Sequence, residues 1–394
     1  MRQLAIPRLA PRDASEPCRT ASPLELFFDL VFVVAVALAS ENLHHFETED
    51  HFSTGIVRYL MVFFAIWWAW MNFTWFASAY DSDDWLYRLL TLIQMAGALV
   101  MAAGVQQAMT EDRFAVIVAG YLVMRVALVA QWLRAAAGDP ERRQTALAYA
   151  FGIAIVQVFW IALIFFPPEY KGIVFITGVI LELAVPVVAE RRSRSPWHAH
   201  HIAERYGLFT MIVLGESILA SSHSIIDGIE DGTRNFEMMR LAIAAFAIVA
   251  SMWWLYFSYP QHHLLGGIKS TLLWGYGHYF IFASAAAVSA GIEVAVDYNT
   301  EHTSLGAAKA AATLCVPVAI FVFTAWILMI RPNADALVNL VTPIVAVLIV
   351  LTVFLPFSLL LAGLLLVGLV ALISWRTSQQ PHPAHEAPLV EFDA

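Results

Sequence analysis

Residues 22–40 read SPLELFFDLVFVVAVALAS, the first long apolar stretch of the chain. Ser22 and Glu25 have the spacing of a capping box, with Pro23 at the first helical position, so a helix is predicted to begin here. About 20 apolar residues in a helix cross the roughly 30 Å core of a bilayer. The stretch therefore predicts a membrane-spanning helix over residues 24–44, and Glu25 either caps this helix or has a functional role.

The chain as a whole has the composition of an integral membrane protein. Of its 394 residues, 60% are hydrophobic and 13% are charged, whereas soluble proteins average about 45–50% and about 25%. A soluble protein of this length could not bury so much apolar surface. The net charge of −9, with no basic patch that has aromatic residues interleaved with it, argues against nucleic acid as a partner. Two cysteines cannot form a disulfide framework. The expected partner is the lipid bilayer.

Long continuous apolar segments, rather than short alternating ones, predict an all-α polytopic membrane helix bundle. We expect twelve spans, with ten or eleven as the alternative counts. Residues 336–375, with the turn signal at Pro356, form either two spans or a re-entrant hairpin. The predicted spans are 24–44, 56–80, 85–108, 114–136, 146–166, 171–190, 204–223, 240–258, 272–295, 305–330, 336–354 and 356–375.

The basic residues predict the orientation. With both termini in the cytoplasm, 15 of the 22 basic residues lie on the inner side, as the positive-inside rule requires. The N-terminal arm has no apolar core or cleavage site of a secretory signal. We expect a multi-pass protein of the bacterial inner membrane. The inner basic residues are Arg2, Arg8, Arg12, Arg19, Arg88, Arg134, Arg142, Arg143, Arg191, Arg192, Arg194, Arg205, Lys269, Arg331 and Arg376.

The two halves of the chain resemble each other. Residues 67–70 (WWAW) match 253–256 (WWLY), and residues 103–106 (AGVQ) match 290–293 (AGIE). Six spans per half predict two repeats with the same orientation, as in some secondary transporters. The alternative is that apolar spans resemble each other by composition alone. The predicted organisation is an arm (1–22), a first repeat (23–190), a basic linker (191–203), a second repeat (204–375) and a disordered tail (376–394).

Three charged residues lie near the middle of predicted spans: Arg125, Glu182 and Glu216. Each costs about 2.5–3.5 kcal/mol at the centre of an isolated membrane helix, so we expect them to pair inside the protein. One arginine cannot balance two acids. The remaining acid would accept a proton or attract a cation. The alternative is a buried ion pair that only fixes the register of the helices.

The seventh predicted span carries Arg205, Glu216 and His223 at intervals of about three and two helical turns, so all three lie on one stripe. Asp29 lies about one turn inside the first span, too deep for a cap, and is a second candidate binding residue. Glu204 is a further candidate, although Glu204 and Arg205 could instead form an ordinary interfacial pair.

His278, in the ninth predicted span, is either a proton carrier or a histidine held by an interhelical hydrogen bond, and the second interpretation is favoured. Packing is the preferred interpretation of the tryptophan-rich residues 67–75. The sequence contains no phosphate-binding loop, haem motif, zinc-protease motif or nucleophile elbow. We therefore expect no cofactor, no metal site and no enzymatic activity.

Two stretches resemble the signature sequences of the bacterial low temperature requirement protein A family. They are residues 22–33 (SPLELFFDLVFV) and residues 204–218 (ERYGLFTMIVLGESI), with Tyr206 where Phe is common. The resemblance covers residues 20–376. It implies a polytopic inner-membrane protein associated with growth in the cold, and it assigns no catalytic residues.

The leading functional hypothesis is a secondary transporter of an unknown solute, coupled to protons or to another ion. Asp29, Arg125, Glu182 and Glu216 would surround its central site. Either Glu216 or Asp29 would exchange a proton, and Arg125 would neutralise an anionic group. The alternatives are an ion channel, a membrane sensor or scaffold in which the charges are architectural, and a lipid-acting enzyme.

Overall fold

The computed structural model of the chain describes residues 8–13, 16, 19–230 and 235–379. In this part of the chain all regular structure is helical, with thirteen α-helices, which confirms the predicted all-α class. The helices are α1 (Pro23–Thr48), α2 (Phe52–Tyr80), α3 (Trp85–Ala103), α4 (Val105–Thr110), α5 (Ala115–Gly138), α6 (Arg143–Leu163), α7 (Pro168–Ala189), α8 (Ala199–Glu230), α9 (Asn235–Tyr256), α10 (Ile268–Asn299), α11 (Ala307–Ala325), α12 (Ala336–Leu351) and α13 (Ser358–Ser378).

Eleven helices of the described chain are long and apolar enough to cross a bilayer, which confirms a polytopic membrane protein. The helix α4 has only 6 residues, and α3 and α4 together cover the predicted span 85–108. The helix α8 has 32 residues, about 48 Å of helix, but polar residues such as Glu216 dilute its apolar run. Counting α8 as a crossing gives the predicted twelve.

Close backbone contact joins α3 to α5. A Cβ atom on Gly120 would lie 2.3 Å from the backbone nitrogen of Met101 and 2.6 Å from the carbonyl oxygen of Gly97. A Cβ atom on Gly104, between α3 and α4, would lie 2.6 Å from the nitrogen of Ile117. Small residues are what allow membrane helices to approach this closely.

The final apolar stretch forms two helices, as predicted. The helix α12 ends at Leu351 and a 3₁₀ turn covers Thr352–Phe354. Phe357 then adopts a left-handed conformation with φ of 60° immediately before α13. Residues 336–354 and 358–378 are each long enough to span a bilayer, which favours two crossings over a re-entrant hairpin.

Several helices extend beyond their predicted ends. The helix α8 begins at Ala199, inside the predicted linker 191–203, and α13 continues to Ser378. The first residues of the predicted tail are therefore helical, and its residues from 380 onwards lie outside the described part. The predicted capping box is present: the Ser22 hydroxyl accepts from the Glu25 nitrogen at 3.3 Å, and the Ser22 nitrogen donates to Glu25 Oε2 at 2.7 Å.

The described residues of the N-terminal arm pack against the bundle. Leu9 is fully buried, and the Arg12 nitrogen donates to the Ala79 carbonyl at 2.9 Å. The Arg19 guanidinium donates to the carbonyl oxygens of Ala77, at 2.9 Å, and Ser78. These bonds add donors to carbonyls in the last turn of α2, where helix carbonyls run short of backbone partners; the Ala77 carbonyl also accepts from the Asp81 nitrogen at 3.1 Å.

The predicted halves meet along α1, α2, α8 and α10. In this interface α1 contacts α8 and α10, and α2 also contacts α8 and α10. Within the halves, α1 contacts α2 and α3, while α8 contacts α9 and α10. The duplication itself stays a prediction.

Replacing Gly120 by alanine should destabilise the protein by about 1–3 kcal/mol, because the added methyl group overlaps the backbone of α3. Gly172 in α7 is the matched control, since no atom lies within 4 Å of a Cβ built there. Gly172→Ala should leave stability unchanged or raise it by up to about 1 kcal/mol. Thermal unfolding of the purified protein in detergent measures both effects. A Gly120→Ala protein as stable as the wild type would contradict the close contact.

Candidate functional site

Three buried charged side chains join the N-terminal parts of α1 and α8. Arg205 Nη2 lies 2.6 Å from Asp29 Oδ1, and Arg205 Nε donates to Asp29 Oδ2 at 3.1 Å. Arg205 Nη1 lies 3.0 Å from Glu25 Oε1. Glu25 and Asp29 are four residues apart, so they lie one turn apart on the same face of α1. One guanidinium therefore contacts both carboxylates.

His201 completes this group, and we call Glu25, Asp29, His201 and Arg205 the inner cluster. His201 Nε2 lies 3.3 Å from Glu25 Oε2, and the Trp70 indole donates to Asp29 Oδ1 at 2.7 Å. Each of the four cluster residues is at most 1% exposed.

The inner cluster contains two acids and one permanent cation. With His201 neutral and both carboxyls ionised, it carries one excess negative charge, which is costly in a low-dielectric interior. A proton on His201 or on one carboxyl group removes that charge. The cluster can therefore hold one exchangeable proton.

Arg125 and Glu182 form a second buried pair, between α5 and α7. Arg125 Nη2 lies 3.5 Å from Glu182 Oε2 and also donates to the Tyr121 hydroxyl. Glu182 accepts further hydrogen bonds from Tyr121 at 2.8 Å, from Trp68 at 2.8 Å and from Trp160 at 3.0 Å. Both charged residues are 1% exposed. One positive and one negative charge balance, so this pair needs no further ion.

Glu216 does not belong to this pair, although the sequence predicted that Arg125, Glu182 and Glu216 converge. Glu216 accepts a hydrogen bond from Ser289 on α10 and lies near Glu293 of the same helix. Likewise, Asp29 pairs with Arg205 and not with Arg125. The reason is the arrangement of the helices: α5 packs on α3 and α6, while α8 packs on α9 and α10. The depth of each charged residue in its predicted span could be read from the sequence, but the sequence did not show which helices are neighbours.

A second group of acids surrounds His44, towards the C-terminal ends of α1 and α10. His44 Nε2 lies 2.7 Å from Asp297 Oδ2, and His44 Nδ1 lies 3.4 Å from Glu293 Oε2. With Glu216 they make what we call the outer cluster: His44, Glu216, Glu293 and Asp297. The sequence analysis missed Glu293 and Asp297 as site residues. Their i, i+4 spacing near the end of a span, like that of Glu25 and Asp29, was the available signal.

Aromatic side chains fill the space between the two clusters. Asp29 and His44 are separated by about 22 Å along α1. Between them the Trp70 ring stacks on Phe209, with centroids 4.3 Å apart, and Phe209 packs edge-on to Phe282 at 5.0 Å. Trp70 is fully buried, in line with the packing role expected of residues 67–75. Aromatic rings of α2, α8 and α10 therefore lie between the two clusters.

Of the two remaining candidates, His278 and Glu204, His278 has local hydrogen-bond partners. His278 is fully buried; its Nδ1 lies 2.7 Å from the Trp274 carbonyl oxygen and its Nε2 lies 3.1 Å from the Tyr256 hydroxyl. This is the hydrogen-bonded arrangement that the sequence analysis favoured. Glu204 is half-buried, and its Oε2 atom has no hydrogen-bond partner; Arg205 pairs with Glu25 and Asp29 of α1. The His223 side chain lies outside the described part.

Within the described residues, no three His, Cys, Asp or Glu side chains are arranged to hold a metal ion. What the two clusters can do is bind or exchange protons and attract a cation.

Comparison with known proteins identifies the family. Residues 20–374 match the family described as bacterial low temperature requirement A protein (LtrA). The chain belongs to the LtrA family. A protein of Rhizobium meliloti (strain 1021), named as uncharacterized, is 31% identical over 278 residues, which are 66% of this chain and 65% of that relative.

Three of the four inner-cluster residues of this LtrA protein lie in the two stretches that carry the family resemblance, and His201 lies just before the second. Residues 22–33 supply Glu25 and Asp29, and residues 204–218 supply Arg205 and also Glu216. The two stretches, far apart in sequence, are thus joined directly by the ion pairs of Arg205.

Replacing Arg205 by methionine should destabilise the protein by about 3–5 kcal/mol, because two buried carboxyls lose their shared cation. Arg88 is the matched control, since its ion pair with Asp83 is 58% and 61% exposed. Arg88→Met should cost less than about 1 kcal/mol. Thermal unfolding in detergent compares the two.

A third variant tests the cause of the loss. Adding Glu25→Gln and Asp29→Asn to Arg205→Met should restore part of the stability, since no unpaired charge then remains buried. Equal losses for Arg205→Met and Arg88→Met would contradict the importance of the inner cluster.

Proposed function

We propose that this LtrA protein is a secondary transporter that couples the movement of a small solute to protons, in the bacterial inner membrane with both termini cytoplasmic. One observation carries the proposal: ionisable groups lie at both ends of the α1–α8–α10 interface, and an aromatic layer closes the space between them. This is the arrangement expected of an occluded state, in which neither end communicates with the other.

Glu216 is the proposed proton-exchanging group on the outer side. Its neighbours are another carboxylate, Glu293, and the Ser289 hydroxyl, and its Oε2 atom has no hydrogen-bond partner. In the described structure no basic side chain forms an ion pair with it. Two carboxyl groups in close proximity resist simultaneous ionisation, so one of them readily takes up a proton or a cation.

The inner cluster is the proposed counterpart on the cytoplasmic side. Its excess acid can accept a proton, and Arg205 can release one carboxylate when that carboxylate is protonated. Such a change would loosen the contact between α1 and α8, which belong to different predicted repeats. Movement of the two halves against each other is how repeat-built transporters alternate access.

The Arg125–Glu182 pair has an architectural role in this proposal. Its charges balance and Glu182 is saturated with donors, so it fixes α5 against α7. The expectation that Arg125 neutralises an anionic group of the solute stays a prediction, because Arg125 Nε and Nη1 have no hydrogen-bond partner.

Replacing Glu216 by glutamine should abolish solute-driven proton movement, because glutamine keeps the shape of the side chain and cannot exchange a proton. The assay uses proteoliposomes with an enclosed pH-sensitive dye and a panel of amino acids, organic acids, and inorganic and organic cations. We expect at least one solute to change the internal pH in a saturable way with the wild type. Glu111→Gln is the control, since Glu111 is 50% exposed and already paired with Arg113.

The same preparation separates the rival functions. A voltage-driven current that does not saturate would favour an ion channel. If no solute moves protons, and if Glu216→Gln changes only the unfolding temperature, the transporter proposal fails in favour of a scaffold.

A further inference from the structure

A small cavity lies where α2, α5, α6, α7 and α10 converge, away from both clusters. It encloses about 40 Å³. A water molecule needs roughly 10–15 Å³ on this scale, so the cavity holds a group of about three waters or a ligand of that size. Five aromatic side chains from both predicted halves line it: Trp75, Trp132, Tyr149, Trp197 and Tyr276.

The cavity contains one carboxylate, that of Glu190. Glu190 Oε1 accepts from the Tyr149 hydroxyl at 2.9 Å and from the Ser195 hydroxyl at 2.6 Å, and Oε2 accepts from the Ser195 nitrogen at 2.9 Å. All of these donors are neutral. They hold the carboxylate in position and leave its negative charge uncompensated.

Basic residues near Glu190 in the sequence are directed elsewhere. Arg191, Arg192 and Arg194 are exposed, and Arg192 donates to the Gln144 side chain at 2.9 Å. Over the described residues, Glu190 has no ion-pair partner. Glu190 is also the C-cap of α7, where the helix dipole adds further negative potential.

An independent observation comes from the opposite wall. Thr271 on α10 lines the same cavity and is fully buried, yet its hydroxyl has no hydrogen-bond partner. Asn72 on α2 also lines the cavity and donates its amide NH₂ to the Trp68 carbonyl at 2.8 Å, which leaves its amide oxygen as an acceptor. Most buried hydroxyl groups have a hydrogen-bond partner, and a molecule in the cavity would supply one to Thr271.

We propose that this cavity binds a small ammonium-type cation, such as ammonium or methylammonium. The aromatic rings attract a cation through their π-electrons. The N–H groups of such a cation would donate to the Glu190 carboxylate, the Thr271 hydroxyl and the Asn72 amide oxygen. Metal cations such as Ca²⁺ need six or more oxygen ligands, which these walls do not supply. The site stands independently of the transport proposal, because binding does not require movement.

Titration of the purified full-length protein with methylammonium chloride, at constant ionic strength against sodium chloride, tests the site. Calorimetry and tryptophan fluorescence should both report saturable binding, and methylammonium should raise the unfolding temperature where sodium does not. Glu190→Gln keeps an oxygen for Tyr149 and Ser195 but removes the charge. It should weaken binding by roughly tenfold or more, since hydrogen bonds to charged groups are the stronger ones.

Two further variants keep the test decisive. Glu169→Gln, an exposed acid near the other end of α7, should bind as the wild type does. Thr271→Val removes only the hydroxyl and should weaken binding even if Glu190→Gln fails to fold. No saturable binding to the wild type, equal effects of sodium and methylammonium, or unchanged affinity in both Glu190→Gln and Thr271→Val would overturn the proposal. If the Glu216→Gln variant loses transport but still binds methylammonium, the binding site is independent of the transport proposal.

Discussion

The pairing of one guanidinium with two carboxylates fixes how the two halves of this LtrA protein meet. The Arg205 side chain is fully buried, and the side chains of its partners Glu25 and Asp29 are at most 1% exposed. A charge in such surroundings is tolerated only when its counter-charge is held in place. The helices α1 and α8 therefore cannot slide or rotate against each other without uncovering an unpaired charge. Because Trp70 donates to Asp29, the same constraint extends to α2 and to the aromatic layer beyond it.

The helix α10 carries the rest of the interface because its middle is made of small residues. Between positions 283 and 291 it reads ASAAAVSAG, and neighbouring helices approach its backbone closely enough to bond to it. Ser40 of α1 donates to the Ala286 carbonyl at 3.0 Å, and Ser217 of α8 donates to the Ala285 carbonyl at 3.3 Å. Such close approach stabilises the bundle through van der Waals packing, because the hydrophobic effect does little to hold helices together within a bilayer. Both clusters thus border one tightly packed axis.

Hydropathy and capping predicted the helices well because both are local properties of the chain. The capping box at Ser22 needs four consecutive residues, and each span needs about 20. The helix ends were less accurate, since polar residues continue α8 and α10 past the apolar core. Partners across the fold could not be predicted: Arg205 meets Asp29 across 176 residues. A position along a helix gives the depth of a charge, whereas its partner depends on helix packing that only tertiary structure reveals.

Charge balance separates the polar groups of this bundle into two kinds. Arg125 and Glu182 neutralise each other, and four neutral donors saturate the carboxylate, whereas Arg125 Nε and Nη1 have no hydrogen-bond partner. Glu216 and Glu190 have only neutral donors or other acids around them. Both side chains are half-buried, and architecture alone does not require a charge at either position, because a glutamine oxygen also accepts hydrogen bonds from hydroxyl groups. An uncompensated carboxylate in a membrane bundle is consistent with a site that binds a proton or a cation.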